Sequence, residues 1–187
     1  MSKVSFKEMK KGTKKDYLLL DKHEKKFVEG TADRILKFMS TLTKTLEGYQ
    51  ISRLEHSLQT ATRALKDGAN DEMIVAALLH DIGDELAPLN HAEYAAAVLK
   101  PYVNEKTHWI VEKHGIFQTY YYVPNDVRNS TIEKFHAFLL SSGSFHLHKV
   151  LILPQQIQHD YERLVHLQYR VIKLQQSFHP QLYLVKL

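Results

Sequence analysis

Met73-Ile74-Val75-Ala76-Ala77-Leu78-Leu79-His80-Asp81-Ile82-Gly83 is the stretch that decides the fold. A run with hardly a polar atom ends in a histidine and an aspartate. Asn70 stands where an N-cap belongs, and Asp71 and Glu72 suit the first turn of the helix it would start. The spacing therefore predicts a buried helix from 70 to about 82, before Gly83. Two polar side chains at the end of such a helix need partners, because an unpaired buried polar group costs roughly 2–7 kcal/mol. A metal ion is the natural candidate. A second such pair, His159-Asp160, lies in a Gln-rich stretch without that context. The placement of His56, His91 and His114 is what gives the first pair its weight.

Working outward, the punctuation is helical on both sides. Ser52-Arg53-Leu54-Glu55 is a capping box, and Leu54, Leu58, Ala61 and Leu65 form an apolar stripe ending at Gly68. Asn90-His91-Ala92-Glu93 repeats the cap-plus-Glu signature, and Pro101 stops that helix. Asn104 opens another, expected to end at His114-Gly115. Toward the start, helices are expected over 14–29 and 32–46. Beyond Tyr122 the signals weaken. Residues 131–142 and 155–176 could be helical, and 145–153 is ambiguous between strand and helix. The chain reads as all-α, a single domain over 1–187.

Helix geometry brings the histidines together. His56 lies twelve residues before Gly68, and His80 lies ten after Asn70. At about 1.5 Å rise per residue both sit roughly 15–18 Å from their shared turn. His91 and His114 stand at matching heights, about 14–15 Å from the turn between Lys100 and Asn104. The short link 83–89 returns His91 to the His80-Asp81 end. Four imidazoles and one carboxylate then converge at one end of a helical bundle, where such metal sites are commonly built. His23 and His108 have no matching partner, and Glu93 reads as a capping residue.

Composition limits the alternatives. The chain has 187 residues, net charge +4, twelve histidines and no cysteine. Sulfur ligands and thiolate nucleophiles are thus excluded, and any metal must rest on His, Asp and Glu. The positive charge is too mild and scattered for nucleic-acid binding. No apolar run approaches the ~18 residues of a membrane span. Residues 1–15 carry no apolar h-region, so a cytoplasmic location is the expectation. Five N/O ligands suit zinc, manganese or iron, and two metals bridged by Asp81 account for them better than one tetrahedral zinc.

The order His56, His80-Asp81, His91, His114 resembles the HD-domain superfamily of metal-dependent phosphohydrolases. Leu54-Glu55-His56-Ser57-Leu58-Gln59-Thr60-Ala61 followed by Ala76-Ala77-Leu78-Leu79-His80-Asp81-Ile82-Gly83 is similar to its PhnZ/TmpB-like diiron oxygenase branch, related to myo-inositol oxygenase. The resemblance covers residues 48–122 and leaves 123–187 atypical. It implies an HD-domain helical bundle with a dinuclear site in its core: a mixed-valent Fe2+/Fe3+ pair that oxidises a small polar substrate with O2. It also implies His56, His80, Asp81, His91 and His114 as ligands, with Asp81 bridging. Mn2+ or another divalent ion is the alternative metal.

Three positions depart from the branch. Asp84 and Gln118 replace a histidine and a lysine of the expected substrate pocket, which argues against an organophosphonate. The register of the family's late aspartate ligand holds Val150-Leu151-Ile152-Leu153, and Asp160 is the nearest substitute. Two alternatives stay open: a phosphohydrolase drawing on Arg53, Arg63 or Lys113, and a non-catalytic HD-like protein with an incomplete site.

Overall fold

A computed structural model describes residues 2–44 and 48–122, with 44 and 117–122 described through their backbone alone. The segments read over 131–142, 145–153 and 155–176, and with them Asp160, lie outside the described residues. The chain divides into two compact units, Met1–Phe38 and Met39–Leu187.

In the first unit, α1 spans Lys14–Glu29. Its start is a reciprocal cap: the Thr13 hydroxyl accepts from the Asp16 N–H at 3.3 Å, and the Asp16 carboxylate accepts from the Thr13 N–H at 3.0 Å. Ser5 adds its own N–H to that carboxylate at 2.8 Å. The Thr13 hydroxyl, then the N–H of Ser5, hold the Asp16 carboxyl well below the usual range. After Gly30, α2 runs Thr31–Met39 and gives way to a tighter 3-10 segment, Ser40–Lys44. The sequence suggests one helix over 32–46. The run Ser40-Thr41-Leu42-Thr43 breaks it, because hydroxyls compete for backbone carbonyls, as Thr43 does on Ser40 at 3.4 Å.

The second unit carries the bundle. α3 spans Arg53–Lys66 behind the Ser52 capping box, in which Glu55 accepts from the Ser52 N–H at 2.7 Å. Its buried face is Ser57, Thr60, Ala61 and Ala64. Of the expected stripe only Ala61 is fully buried, and the leucines are half-buried. Small residues on this face let α3 lie close against α4, Asp71–Leu79, whose residues Ile74 to Leu79 are all buried. Gly68 makes the turn between them with a φ of +75°, where a side chain would be strained.

α4 ends at Leu79, short of the expected Ile82. Residues 79–86 continue as consecutive tight turns, in which Ile82, Asp84 and Leu86 each donate to the residue three before, at 3.1 Å. α5 spans His91–Leu99. Asn90 precedes it but makes no side-chain cap, because its backbone (φ −143°, ψ 37°) is not extended as a cap requires. α6 spans Glu105–Tyr122, with the Asn104 side chain accepting from the Thr107 N–H at 2.9 Å. It passes straight through Gly115, which lacks the left-handed φ that would end a helix. α3 pairs with α4 and α5 with α6, while α4 touches both α5 and α6. Ile74, Leu78, Leu99 and Val111 fill the core. Among the described residues there is no strand, and no helix is long and apolar enough to cross a membrane.

Candidate metal centre

Each helix pair delivers one histidine from within the bundle and one from its edge. His80 follows α4 as its last residue's cap, and His114 lies in the middle of α6; both are fully buried. His56 sits in the first turn of α3, and His91 is the first residue of α5. The four rings form a row, with centroid separations of 5.1 Å from His56 to His80, 5.0 Å to His114 and 5.1 Å on to His91.

Asp81 stands at the middle of that row. Its Oδ2 lies 3.3 Å from His56 Nε2 and 3.2 Å from His80 Nε2. Its Oδ1 lies 3.1 Å from His114 Nε2 and 3.6 Å from His91 Nε2. One carboxylate therefore serves two groups of three donors: His56, His80 and Asp81, then Asp81, His91 and His114. Within each group the donor atoms lie within 4.8 Å of one another.

The buried rings are oriented by their own helices. His80 Nδ1 lies 2.8 Å from the Ala77 carbonyl, and His114 Nδ1 lies 2.7 Å from the Val111 carbonyl. A carbonyl only accepts, so each Nδ1 carries a hydrogen and each Nε2 is turned inward to Asp81, where it donates when protonated and can ligate when not. The bond to the carbonyl is the outer bond that a metal-ligating imidazole characteristically makes. The inward atoms crowd: His56 and His80 Nε2 are 3.2 Å apart, and His91 and His114 Nε2 are 3.1 Å apart. Ring nitrogens at that distance around a buried carboxylate call for positive charge among them, which a proton or a bound cation can supply. The donor set fits a divalent metal of the kind that takes imidazole and carboxylate.

The electrostatics agree. Burial disfavours the His80 imidazolium, but Asp81 and the Ala77 carbonyl outweigh it and raise the pKa above its ordinary value. Burial would also push Asp81 up, yet His80 and His114 hold it well below the usual carboxylate range. His56 is lowered to about 4, first by burial and then by His80 beside it. Asp84 is raised, by burial and by the like charge of Asp81, against the pull of Arg53.

Arg53 is the residue the sequence undersold. Its Nε lies 2.5 Å from Asp84 Oδ2 and its NH1 3.6 Å from Asp81 Oδ2, with the guanidinium 4.9 Å from the centre of the Tyr49 ring. The signal was its spacing, three residues before His56 and so on the same helical face. Asp84 Oδ1 lies 3.5 Å from His91 Nδ1. Gln118 falls one turn beyond His114 on α6, where only the backbone is described. His23, His108 and Glu93 belong to neither donor group.

A helical bundle with a buried His-Asp pair and paired histidines from neighbouring helices defines an α-helical domain with a candidate metal centre. Residues 53–167 match the HD domain family, and the chain belongs to it. The match passes Tyr122 and includes Asp160. No curated protein sequence matches the chain. HD domains bind divalent metals and are commonly metal-dependent enzymes, and the two His/Asp groups could each hold such an ion.

Proposed function

We propose that this HD domain is a diiron oxygenase acting on a small polar substrate, with Asp81 bridging the two ions. The observation that carries the reading is the division of Asp81, one oxygen toward His56 and His80 and the other toward His91 and His114. A carboxylate can span two ions, whereas a neutral imidazole binds one. Bound iron would supply the redox equivalents for O2-dependent oxidation of a substrate C–H bond. The chain's own part is to hold the donors and to exclude water. His80, His114 and Asp81 are sealed inside, while His56 and His91 each remain partly exposed and mark the side from which substrate would enter. Asp160, inside the family match, is proposed as a further ligand, and Gln118 as a residue of the substrate pocket.

The charge around the site favours this reading over hydrolysis of a phosphate ester. Such a substrate needs basic groups. Arg53 is engaged by Asp84 and Asp81, Lys113 pairs with Glu112 at 3.0 Å, and Arg63 has Asp67 beside it. The test is metal content per folded chain, on protein supplied with iron and purified without oxygen, followed by O2 uptake with oxidisable polar substrates. About two irons and substrate-dependent O2 uptake are expected. One metal or none in folded protein would overturn the dinuclear reading. Phosphate release from an ester without O2 uptake would replace oxidation with metal-dependent hydrolysis.

A further inference from the structure

We infer that Asp84 is a positioning residue that orients His91 from behind, with Arg53 holding it in place. The inference deepens the two-metal reading of the same pocket and rests on it for its metal-affinity consequence. His80 and His114 turn their Nδ1 atoms to carbonyls three residues earlier in their own segments, at 2.8 and 2.7 Å. His91 has no such turn beneath it, because it opens α5. An acceptor for its Nδ1–H must come from elsewhere, and Asp84 Oδ1 is 3.5 Å away. Among the described residues no other acceptor is seen at this nitrogen, and the carboxylate oxygen faces it at that distance. The other oxygen of Asp84 is taken by Arg53 Nε at 2.5 Å, which leaves Oδ1 to face the imidazole.

The chain is built to bring Asp84 there. The turns after Asp81 run hard against the start of α5: a Cβ placed on Gly83 would stand 2.6 Å from the His91 carbonyl oxygen and 2.8 Å from its Cα. Only glycine lets the backbone pass so close, and the next residue is Asp84. The geometry thus gives Asp84 a place behind a ligand. A carboxylate behind a ligating imidazole fixes its tautomer and raises its basicity, and losing one typically costs 10–100-fold in metal affinity.

Two readouts test this on the full chain. The first is 15N NMR of the imidazoles in metal-free protein at pH 8. His91 is expected as the Nδ1–H tautomer in wild type and as a tautomer mixture in Asp84→Ala. The second is titration with Co2+, followed by its visible spectrum. Asp84→Ala should weaken one of two ions by roughly 10–100-fold and leave the other within about twofold. Asp84→Asn, which keeps an acceptor oxygen and the side-chain volume, should recover most of the loss and guards against a folding defect. An unchanged His91 tautomer together with unchanged affinities in Asp84→Ala would overturn the inference. Wild-type protein that binds no Co2+ would overturn the metal reading, and the tautomer would still decide whether Asp84 orients His91.

Discussion

His80 and His114 are 0% and 1% exposed, whereas His56 and His91 each leave 25% of the side chain in the open. The inner pair is oriented by backbone carbonyls of the same chain segment, so the helix that positions the ring also aims it. The outer pair sits in the first turns of α3 and α5, where no such carbonyl bond is seen: Asp84 lies behind His91, and Arg53, three residues before His56, pairs with Asp84 and Asp81. The inner rings are set by the helices that carry them, while His91 at the rim faces the side chain of Asp84. In the proposed reading, the same rim is where a substrate would enter.

The residue common to both halves gives the largest expected effect. Asp81→Ala should remove both ions together, as measured by elemental analysis of protein that still folds. Retention of one ion would show that the halves do not share a bridging carboxylate. Next comes the contrast within one half. In metal-free protein, His80→Ala should lower stability by about 2–4 kcal/mol, from the cavity and the stranded Ala77 carbonyl. His56→Ala should cost about 1 kcal/mol or less, as at a partly exposed site. Urea unfolding with chelator present measures both. Equal losses would mean that the inner ring is not anchored by its backbone bond.

The meeting of the four histidines is the part of the site legible in the sequence. Apolar patterning and helix rise place His56, His80, His91 and His114 at one end of the bundle, because those quantities depend only on regular helices. What escaped depends on backbone outside them. The turns from 79 to 86, the contact of Gly83 with His91 and the Arg53–Asp84 pair leave no periodic trace. The buried face of α3 was misread for a related reason: leucines are the stronger hydrophobic signal, yet close packing on α4 selected Ser57, Thr60, Ala61 and Ala64. Nor does the rise argument reach Asp160, which lies outside the described residues.

A smaller effect separates His56 from His80 by pH. With the metal removed, the His56 pKa lies near 4 against an ordinary 6.5. As pH falls from 6.5 toward 4, the unfolded chain takes up a proton that folded His56 refuses, so stability is lost in that window. His80 behaves oppositely. Its pKa is raised, so its contribution is complete below 6.5 and is lost as pH rises through the folded value. Metal-free protein should therefore be most stable around pH 6.5. His56→Gln should flatten the acid side by about 1–2 kcal/mol and leave the alkaline side. The check is denaturant midpoints from pH 4 to 8 in wild type and variant. A variant with the wild-type acid slope would assign that slope to other groups.

The smallest effect concerns the helix that carries the inner His114. Sequence pattern makes Gly115 a stop, since glycine commonly ends helices with a left-handed φ. Here α6 continues through it to Tyr122, and no positive φ occurs at this position. A Cβ added at Gly115 meets nothing within 4 Å. Glycine inside a helix costs roughly 0.8–1 kcal/mol relative to alanine, so Gly115→Ala should stabilise the protein by about that amount. Metal binding should be unchanged, because His114 is already fixed by Val111. A rise of a few degrees in Tm with unaltered metal content is the expected result. A fall in Tm would mean that the helix ends at Gly115 in solution, and that the inner ligand lies at a helix end much as the outer ones do.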